Sequence, residues 1–338
     1  MKCLQLLRYG PIADSVALRD AAMPLVGDDD VLIEVHAASI NPIDYKFVSG
    51  ELRRVNKLDG LTLPVTLGFD ASGVVVGVGR NVTGFAEGDE VYTRAPREQL
   101  GAFAEFLSLD ARFVAHKPRN LSHLEAASLP LVGLTTVQAL KGRAQAKRAQ
   151  TILIHAGAGG VGTFAIQYAK TLNLRVTTTT SSKNAAWVKG LGADKVIEYD
   201  RDNYLAGGES YHIVYDTLGG DYTLEAFRAL KRNGVVVSIA GPPDKDMANS
   251  LKAGPLVKAA MWWMSRKIYA AAKEKNAEYY RFLTESDGAQ LADIAQLVEA
   301  EKIKPVIDSV YPFADIIAAL EHAATGRVKG KVVAQMKA

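Results

Sequence analysis

The feature that most constrains this chain is a glycine-rich turn of the form G-x-G-x-x-G, Gly157-Ala-Gly-Gly-Val-Gly162. It follows an apolar run at 151–155, typical of a buried strand, and it precedes helical spacing over 161–172. In that context the first glycine allows a tight turn, Gly159 lets backbone approach a pyrophosphate, and Gly162 lets the helix pack closely on the strand. The amino-terminal end of the helix favours the phosphates. The alternative is a strand–helix turn that binds no ligand.

The alternation of strands and helices continues beyond this turn. Strands are predicted at 174–180, 195–199, 213–217 and 235–239, and a helix is predicted at 185–191. Such alternation indicates βαβ units and therefore a parallel, doubly wound sheet, in which this kind of turn binds a dinucleotide. The residues of the turn that we predict to bind it are Gly157, Gly159, Gly160, Val161 and Gly162.

The residues after the second predicted strand indicate which dinucleotide binds. An NAD site carries Asp or Glu about 20 residues after the glycine turn, whereas no acidic residue occurs here between Ala156 and Ala193. Residues 181–183, Ser-Ser-Lys, offer hydroxyls and a cation that bind a 2′-phosphate, so NADPH is favoured over NADH. The alternative is that residues 181–184 only cap a helix beginning near Ala185. Both roles are compatible, because a capped helix start is itself an anion site.

The first third of the chain has the pattern of a β domain. Strands are predicted at 31–36, 73–79, 91–93 and 103–107, with glycine-containing turns between them, which is the spacing of a small barrel. Ser122 and Glu125 have the spacing of a capping box at the start of a helix. Near the other end, the predicted elements are an edge strand at 279–283, a helix at 289–300 and β segments at 305–311 and 331–334.

The length of 338 residues exceeds the size at which one hydrophobic core usually stops growing, so two domains are expected. The β segments of the tail are predicted to return to the first domain. Residues 1–124 and 288–338 then form one discontinuous domain, and residues 125–287 form the nucleotide-binding domain inserted in it.

Composition argues against several classes of function. A net charge of +3 is too small to indicate nucleic acid or a membrane as the main partner. The one cysteine, Cys3, allows no internal disulfide and no multi-cysteine zinc site. An apolar run near 256–264 is interrupted by Lys258 and is too short to span a bilayer. We therefore expect a cytoplasmic protein that binds neither nucleic acid nor membrane.

Segments along nearly the whole chain resemble the zinc-free quinone oxidoreductase and alkenal reductase group of the medium-chain dehydrogenase/reductase superfamily. They are Asn41-Pro-Ile-Asp-Tyr-Lys46, Gly68-Phe-Asp-Ala-Ser-Gly73-Val-Val, Gly84-Phe-Ala-Glu-Gly88-Asp-Glu-Val-Tyr92, Gly133-Leu-Thr135, the Gly157 turn, Leu191-Gly-Ala-Asp194 and Gly326-Arg-Val-Lys-Gly330-Lys-Val-Val. The resemblance implies an α/β fold, with a Rossmann doubly wound parallel sheet inserted in a GroES-like β-barrel domain. It also implies a cleft between the domains and a homodimer.

The sequence differs from the zinc-dependent members of this superfamily at the positions of the zinc ligands. Zinc-dependent alcohol dehydrogenases of the same superfamily would have Cys at position 41 and Gly-His-Glu at 68–70, where this chain has Asn41 and Gly-Phe-Asp. We therefore predict no metal site. Without a Lewis acid, deprotonating an alcohol becomes difficult, and acceptors that take hydride readily, such as quinones and carbonyl-conjugated alkenes, are favoured.

The resemblance also implies individual site residues. Lys46 matches a lysine that contacts the cofactor, Tyr199 matches a tyrosine near the adenosine 2′-phosphate, and Gly330 lies in a loop near the cofactor. The phosphate-binding turn is Ser181, Ser182 and Lys183, and further cofactor-contacting positions are Thr135, Leu218 and Gly241.

The predicted reaction is hydride transfer from NADPH to a quinone or an α,β-unsaturated carbonyl, without zinc. Lys46 is the candidate for stabilising charge on the acceptor oxygen, and Tyr45 is a candidate donor, although on a strand it would face away from Lys46 and core packing fits it better. The alternatives are a 2-enoyl-thioester reductase and a non-catalytic NADPH-binding protein. Structural roles are expected for His155, Asp44 and Asp70. The cluster Met261-Trp-Trp-Met264 is expected to be buried between helices or subunits, although it could instead line the substrate mouth.

Overall fold

A computed structural model describes residues 1–53, 60–251 and 253–337 of the chain. These residues form two compact units. Unit 1 comprises Met1–Leu134 and Glu285–Ala338, and unit 2 comprises Thr135–Thr284.

The strands, in chain order, are β1 (Lys2–Leu6), β2 (Val16–Asp20), β3 (Asp30–Ile40), β4 (Val65–Thr66), β5 (Asp70–Val78), β6 (Glu90–Arg94), β7 (Phe106–Asp110), β8 (Val114–His116), β9 (Thr151–Ile154), β10 (Arg175–Thr180), β11 (Lys195–Glu198), β12 (Tyr211–Asp216), β13 (Leu230–Ser238), β14 (Glu278–Arg281), β15 (Ile307–Pro312) and β16 (Lys331–Gln335). The α-helices are α1 (Ile12–Ser15), α2 (Pro42–Ser49), α3 (His123–Ala127), α4 (Pro130–Val137), α5 (Gly160–Thr171), α6 (Ser182–Gly190), α7 (Asp221–Arg228), α8 (Lys245–Ser250), α9 (Pro255–Lys275), α10 (Gly288–Glu299) and α11 (Ile316–Ala324).

Unit 1 is built on a mixed sheet that uses both ends of the chain, in which β15 and β16 run parallel and the other neighbouring strands run antiparallel. Its order is β15-β16-β3-β5-β6-β8, with β7 also pairing β3, and β1 pairs β2 and β4 in a second, smaller sheet. Strand β16 pairs antiparallel with β3, so that Val332 lies opposite Ile40. The core between these sheets and helices α2 and α11 is apolar, with Leu4, Ile33, Phe47, Phe69 and Leu320 fully or almost fully buried.

Unit 2 is a parallel sheet in the order β11-β10-β9-β12-β13-β14. Each neighbouring pair in this order runs in the same direction. The central strands are rich in β-branched and apolar residues, as expected for strands buried on both faces. Apolar residues from β9, β12, β13, α7 and α9 form its core, among them Leu153, Val214, Phe227 and Ile268. The predicted α/β class with a doubly wound parallel sheet is confirmed.

The glycine turn joins β9 to α5 so closely that a side chain would not fit at Gly157 or Gly162. A Cβ added at Gly162 would lie 2.2 Å from the carbonyl oxygen of Ala156 and 2.7 Å from the Cα of Gly157. A Cβ at Gly157 would lie 2.3 Å from the hydroxyl of Thr178 on β10. Helix α5 therefore packs on the strand end at a distance that only glycine allows.

Most of the predicted elements recur close to their expected bounds. The capping box is confirmed, because the backbone N–H of Ser122 donates to Glu125 and the backbone N–H of Glu125 donates to the Ser122 hydroxyl. The expected edge strand near 279–283 is β14, and the helix expected near 289–300 is α10. The strand expected at 103–107 lies later, as β7.

Two expectations are corrected by the structure. Tyr45 and Lys46 lie on helix α2, not on a strand, so their side chains point about 100° apart around a helix axis instead of to opposite faces of a sheet. Within the segment 261–264, Trp262, Trp263 and Met264 of α9 are each about 60% exposed. The expected burial between helices is therefore wrong for these three side chains, whereas burial between subunits stays a prediction.

Among the described helices, none combines the length and the apolar character needed to cross a bilayer.

The close approach at Gly162 gives a stability prediction. Gly162→Ala forces backbone to shift and lowers the free energy of unfolding by about 1–3 kcal/mol. The matched control is Gly190→Ala in α6, where no heavy atom lies within 4 Å of an added Cβ, so stability stays the same or rises by up to about 1 kcal/mol. Urea unfolding followed by circular dichroism measures both, and equal midpoints would contradict the steric argument.

Candidate active site

The segments predicted to bind the cofactor within unit 2 follow consecutive strands of its parallel sheet. The glycine turn follows β9, residues 181–183 follow β10, Tyr199 follows β11 and Leu218 comes shortly after β12. Because the strands are parallel, these segments lie at one edge of the sheet. Strand β9 lies between β10 and β12 in the sheet, so the strand order changes direction at β9. Ligands of doubly wound sheets bind beside such a change of direction.

The glycine turn has the properties of a phosphate cradle. Gly159 is the N-cap residue of α5, and no side chain caps this helix end. An added Cβ at Gly159 would meet only the Ala156 carbonyl oxygen, at 3.4 Å, so this backbone is open to close approach. The N–H groups of the first turn, at Gly160, Val161 and Gly162, are therefore available to an anion. These features fit the pyrophosphate of a dinucleotide.

Asp216 fixes the turn after β12 that carries Leu218. Its carboxylate accepts hydrogen bonds from the backbone N–H groups of Leu218 and Gly219 and from the hydroxyls of Thr223 and Ser238. Burial disfavours the charge, but these bonds and His155, whose Nδ1 lies 3.3 Å away, hold the pKa of Asp216 well below its usual range. The expected structural role of His155 is consistent with this contact. Asp216 ends a predicted strand and could have been identified from that position.

Thr135 and Gly241, which are also predicted to contact the cofactor, each have a hydrogen-bond partner within unit 2. The Thr135 hydroxyl lies 2.8 Å from the Thr284 hydroxyl, and Thr135 is buried. The N–H of Gly241 donates to the Ser238 hydroxyl at 2.7 Å. An added Cβ at Gly241 would lie 2.6 Å from the hydroxyl of Tyr279 and 2.8 Å from that of Ser238, so a larger residue in the turn after β13 would displace these hydroxyls.

The predicted phosphate turn after β10 holds a carboxylate that the sequence analysis did not anticipate. The backbone N–H and the hydroxyl of Ser182 both donate to Asp200, at 2.9 and 2.7 Å. These hydrogen bonds lower the pKa of Asp200. The alternative that residues 181–184 cap a helix beginning near Ala185 is wrong in its bounds, because α6 begins at Ser182 and the side chain of its N-cap residue Ser181 makes no cap hydrogen bond. Tyr199, next to Asp200, is 63% exposed.

In unit 1, helix α2 carries both predicted catalytic residues. Asn41 precedes Pro42, the first helical residue, and its backbone N–H donates to the Asp44 carboxyl at 2.7 Å. Tyr45 is half-buried against the apolar core of this unit, and burial together with Asp44 raises its pKa. Tyr45 is therefore suited to packing and is a poorer proton donor than an ordinary tyrosine. Lys46 occupies the next position and is partly exposed.

A buried polar cluster lies beside α2, and Lys331 is its cation. The Lys331 ammonium donates to the side-chain oxygen of Asn41 and to the carbonyl oxygen of Ile40, and it lies 3.8 Å from the Asp70 carboxylate. Asp70 also accepts from the Asn41 amide at 2.9 Å and the Ser39 hydroxyl at 3.1 Å. Sequence reasoning missed Lys331, although a lysine within the apolar run of β16 is a signal of a buried charge. Gly330, just before it, has φ +81° and no room for a Cβ beside Val306.

Asp44 completes the cluster with an incompletely paired carboxyl. One oxygen accepts from Asn41, whereas Oδ1 is buried without a partner among the described residues. Burial and the nearby Asp70 raise the pKa of Asp44 to about 8, although the hydrogen bond from Asn41 and the charges of Lys331 and Arg94 oppose the rise. Asp44 is therefore mostly protonated at neutral pH.

The residues at the positions of the zinc ligands do not fit a zinc ion. The Asn41 amide is engaged by Lys331 and Asp70, and Phe69 is buried with its ring 6.0 Å from that of Phe47. A neutral amide and a phenyl ring are not ligands that zinc selects. Over the described ranges, no group of three His, Cys, Asp or Glu side chains could hold a metal ion.

The raised pKa of Asp44 predicts a pH dependence of stability. In the folded state Asp44 keeps its proton up to about pH 8, whereas in the unfolded chain it loses it near pH 4. The stabilisation from this group is complete below about pH 4 and is lost as the pH rises through 8. Asp44→Asn, which resembles the protonated form, is expected to lose less stability than the parent between pH 5 and pH 9 in urea unfolding. The exposed control Asp14→Asn should follow the parent, and parallel curves for Asp44→Asn would refute the assignment.

Comparison with known proteins agrees with this architecture. Residues 27–119 match the model of the alcohol dehydrogenase GroES-like domain, and residues 191–333 match that of a zinc-binding dehydrogenase. The chain is 32% identical to 2-methylene-furan-3-one reductase of Solanum lycopersicum, covering 98% of this chain and 78% of the relative. It is 30% identical to NADPH-dependent alkenal/one oxidoreductase, chloroplastic, of Arabidopsis thaliana, covering 96% and 77%.

The fold of this chain also resembles that of solved structures. The quinone oxidoreductase from Coxiella burnetii superposes with a TM-score of 0.87 at 33% identity, covering 100% of this chain and 99% of that one. The GroES-like fold expected for unit 1 and the resemblance stated from the sequence are confirmed. The chain is an oxidoreductase of the medium-chain dehydrogenase/reductase superfamily, in its zinc-type alcohol dehydrogenase-like branch.

Proposed function

We propose that this protein transfers hydride from NADPH to an α,β-unsaturated carbonyl or a quinone without a metal ion. The proposal rests on two structural features that occur together in this chain. One is the uncapped, glycine-lined start of α5 at the carboxyl edge of the parallel sheet. The other is the presence of Asn41, Phe69 and Asp70 at the positions where zinc ligands would stand, with Lys331 bound to Asn41 and Asp70.

The nucleotide is proposed to lie along the carboxyl edge of unit 2. The pyrophosphate is assigned to the N–H groups at Gly160, Val161 and Gly162, where the helix dipole favours negative charge. The adenosine 2′-phosphate is assigned to the turn formed by Ser181, Ser182 and Lys183, beside Tyr199. Relatives named for NADPH-dependent reduction of alkenals and enones support this choice of cofactor. The assignments of Gly157, Gly159, Thr135, Leu218, Gly241 and Gly330 as cofactor-binding residues belong to the same proposal.

When bound, NADPH would supply a hydride from C4 of its nicotinamide ring. On an enone the β-carbon would gain this hydride, the alkene electron pair would move toward the carbonyl as negative charge develops on the oxygen, and a proton from solvent would then add at the α-carbon. We assign Lys46 to stabilise this charge, since an ammonium group placed near a developing oxyanion lowers the barrier. Tyr45 is retained only as a packing residue beside it. Names of relatives that act on enones, alkenals and quinones support these acceptors.

The proposal also includes an oligomeric state, a location and the bounds of the two domains. We propose a homodimer and a cytoplasmic location, as predicted from the sequence. We also propose that residues 1–124 and 288–338 form the GroES-like domain and residues 125–287 the Rossmann domain.

The deciding experiment follows NADPH oxidation by absorbance with acceptors of different classes. The panel is 9,10-phenanthrenequinone, 1,4-benzoquinone, acrolein and a 2-enoyl-CoA, each also tested with NADH and with EDTA. Turnover of a quinone or acrolein that survives EDTA is the expected result. Turnover of the thioester alone would favour an enoyl-thioester reductase, and tight NADPH binding without any turnover would favour a non-catalytic binding protein. Loss of activity in EDTA that zinc restores would overturn the metal-free mechanism.

The role of Lys46 has its own measurement. Lys46→Ala is expected to lower kcat/KM for the preferred acceptor on the order of 100-fold, because a charged donor near the developing oxyanion is lost. The control Lys302→Ala changes an exposed lysine of the same unit and should leave kcat/KM unchanged. Equal activities of the two variants would remove Lys46 from the catalytic site.

A further inference from the structure

The carboxylate of Asp200 occupies the first turn of helix α6. It accepts two hydrogen bonds from one residue, the N–H of Ser182 at 2.9 Å and the hydroxyl of Ser182 at 2.7 Å. Helix α6 has nine residues, Ser182–Gly190, and the side chain of its N-cap residue Ser181 makes no cap hydrogen bond. The cap of this helix is therefore supplied from the turn after β11.

The parallel pairing of β10 with β11 explains how Asp200 reaches this turn. Thr180, the last residue of β10, lies opposite Glu198, the last residue of β11. The N–H of Tyr199 then donates to the carbonyl oxygen of Thr180 at 3.0 Å, which holds the two strand ends together. Asp200 follows directly, so its carboxylate is placed against the segment that follows Thr180.

The donors that Asp200 uses are those that a 2′-phosphate would need. A phosphate at a helix start binds the free N–H groups and neighbouring hydroxyls of the first turn, and Ser182 supplies one of each. Asp200 carries the same sign of charge as the phosphate. The nearby cation Arg201 forms an ion pair with Glu198 at 3.1 Å, so its charge is already shared with a carboxylate.

We propose that Asp200 is a specificity-determining residue that weakens the preference of this enzyme for NADPH over NADH. With NADPH, the 2′-phosphate must displace Asp200 from Ser182 and is repelled by it. With NADH, Asp200 keeps its place and can accept a hydrogen bond from the free ribose hydroxyl, as acidic residues do at NAD sites. The inference rests on the proposed placement of the adenosine end at this turn.

The test compares Asp200→Asn with Asp202→Asn in the full chain. An asparagine side-chain oxygen can still accept from Ser182, so the cap is preserved while the charge is removed. Asp202 is an exposed acid two residues away and controls for the general loss of negative charge. Dissociation constants for NADPH and NADH are measured by nicotinamide fluorescence without acceptor, and those for adenosine 2′,5′-bisphosphate and 5′-AMP by calorimetry. Thermal unfolding confirms that each variant is folded.

Asp200→Asn is expected to tighten NADPH and the bisphosphate by roughly tenfold, with NADH and 5′-AMP unchanged or weaker. Asp202→Asn should leave the NADPH to NADH ratio within about twofold of the parent, since exposed charges at greater distance are screened. The expected effect also diminishes in high salt, as a charge repulsion requires.

Two outcomes overturn the proposal, and they are distinguishable. If the parent binds and oxidises NADPH but Asp200→Asn leaves the ratio unchanged, the role of Asp200 is wrong and the proposed function stands. If neither NADPH nor NADH binds the folded parent, the proposed function fails and the inference fails with it.

Discussion

The contact on which the nucleotide-binding unit depends is the approach of helix α5 to the end of strand β9. Gly162 lies so close to the Ala156 carbonyl that a methyl group would stand 2.2 Å from it. This contact directs the uncapped N–H groups of α5 toward the carboxyl edge of the sheet, where parallel strand ends bring the other segments. The electrostatics of the helix end and the geometry of the sheet therefore define one place for a dinucleotide.

Unit 1 carries a second constraint, which is the buried charge of Asp70. Asp70 is fully buried and would be costly as an isolated anion. Lys331, Asn41 and Ser39 compensate it through an ion pair and hydrogen bonds. An ammonium group fixed among these partners neutralises charge but offers no open coordination position. This difference explains why metal-free reduction of conjugated acceptors fits the residues better than alcohol oxidation.

Local signals allowed prediction of the nucleotide fold and the glycine turn, because strand periodicity and turn glycines are properties of adjacent residues. The helical start at Asn41-Pro42 is also a local signal, since Pro favours the first helical position, whereas the side-chain directions considered for Tyr45 and Lys46 are those of a strand. Asp200 and Lys331 could not be placed in this way. Asp200 reaches Ser182 only through the pairing of β10 with β11, and Lys331 reaches Asn41 across 290 positions through the pairing of β16 with β3. Such partners depend on strand order and register, which no single segment encodes.

The central claim is that a nucleotide binds along the carboxyl edge of the parallel sheet in unit 2. Hydrogen–deuterium exchange of the full chain with and without saturating NADPH tests it most directly. The account predicts slowed exchange in peptides covering 157–163, 181–184 and 217–220, because bound phosphates and ribose protect these amides, with no change in peptides covering β1 and β2. Binding of NADPH without protection at the glycine turn would contradict it.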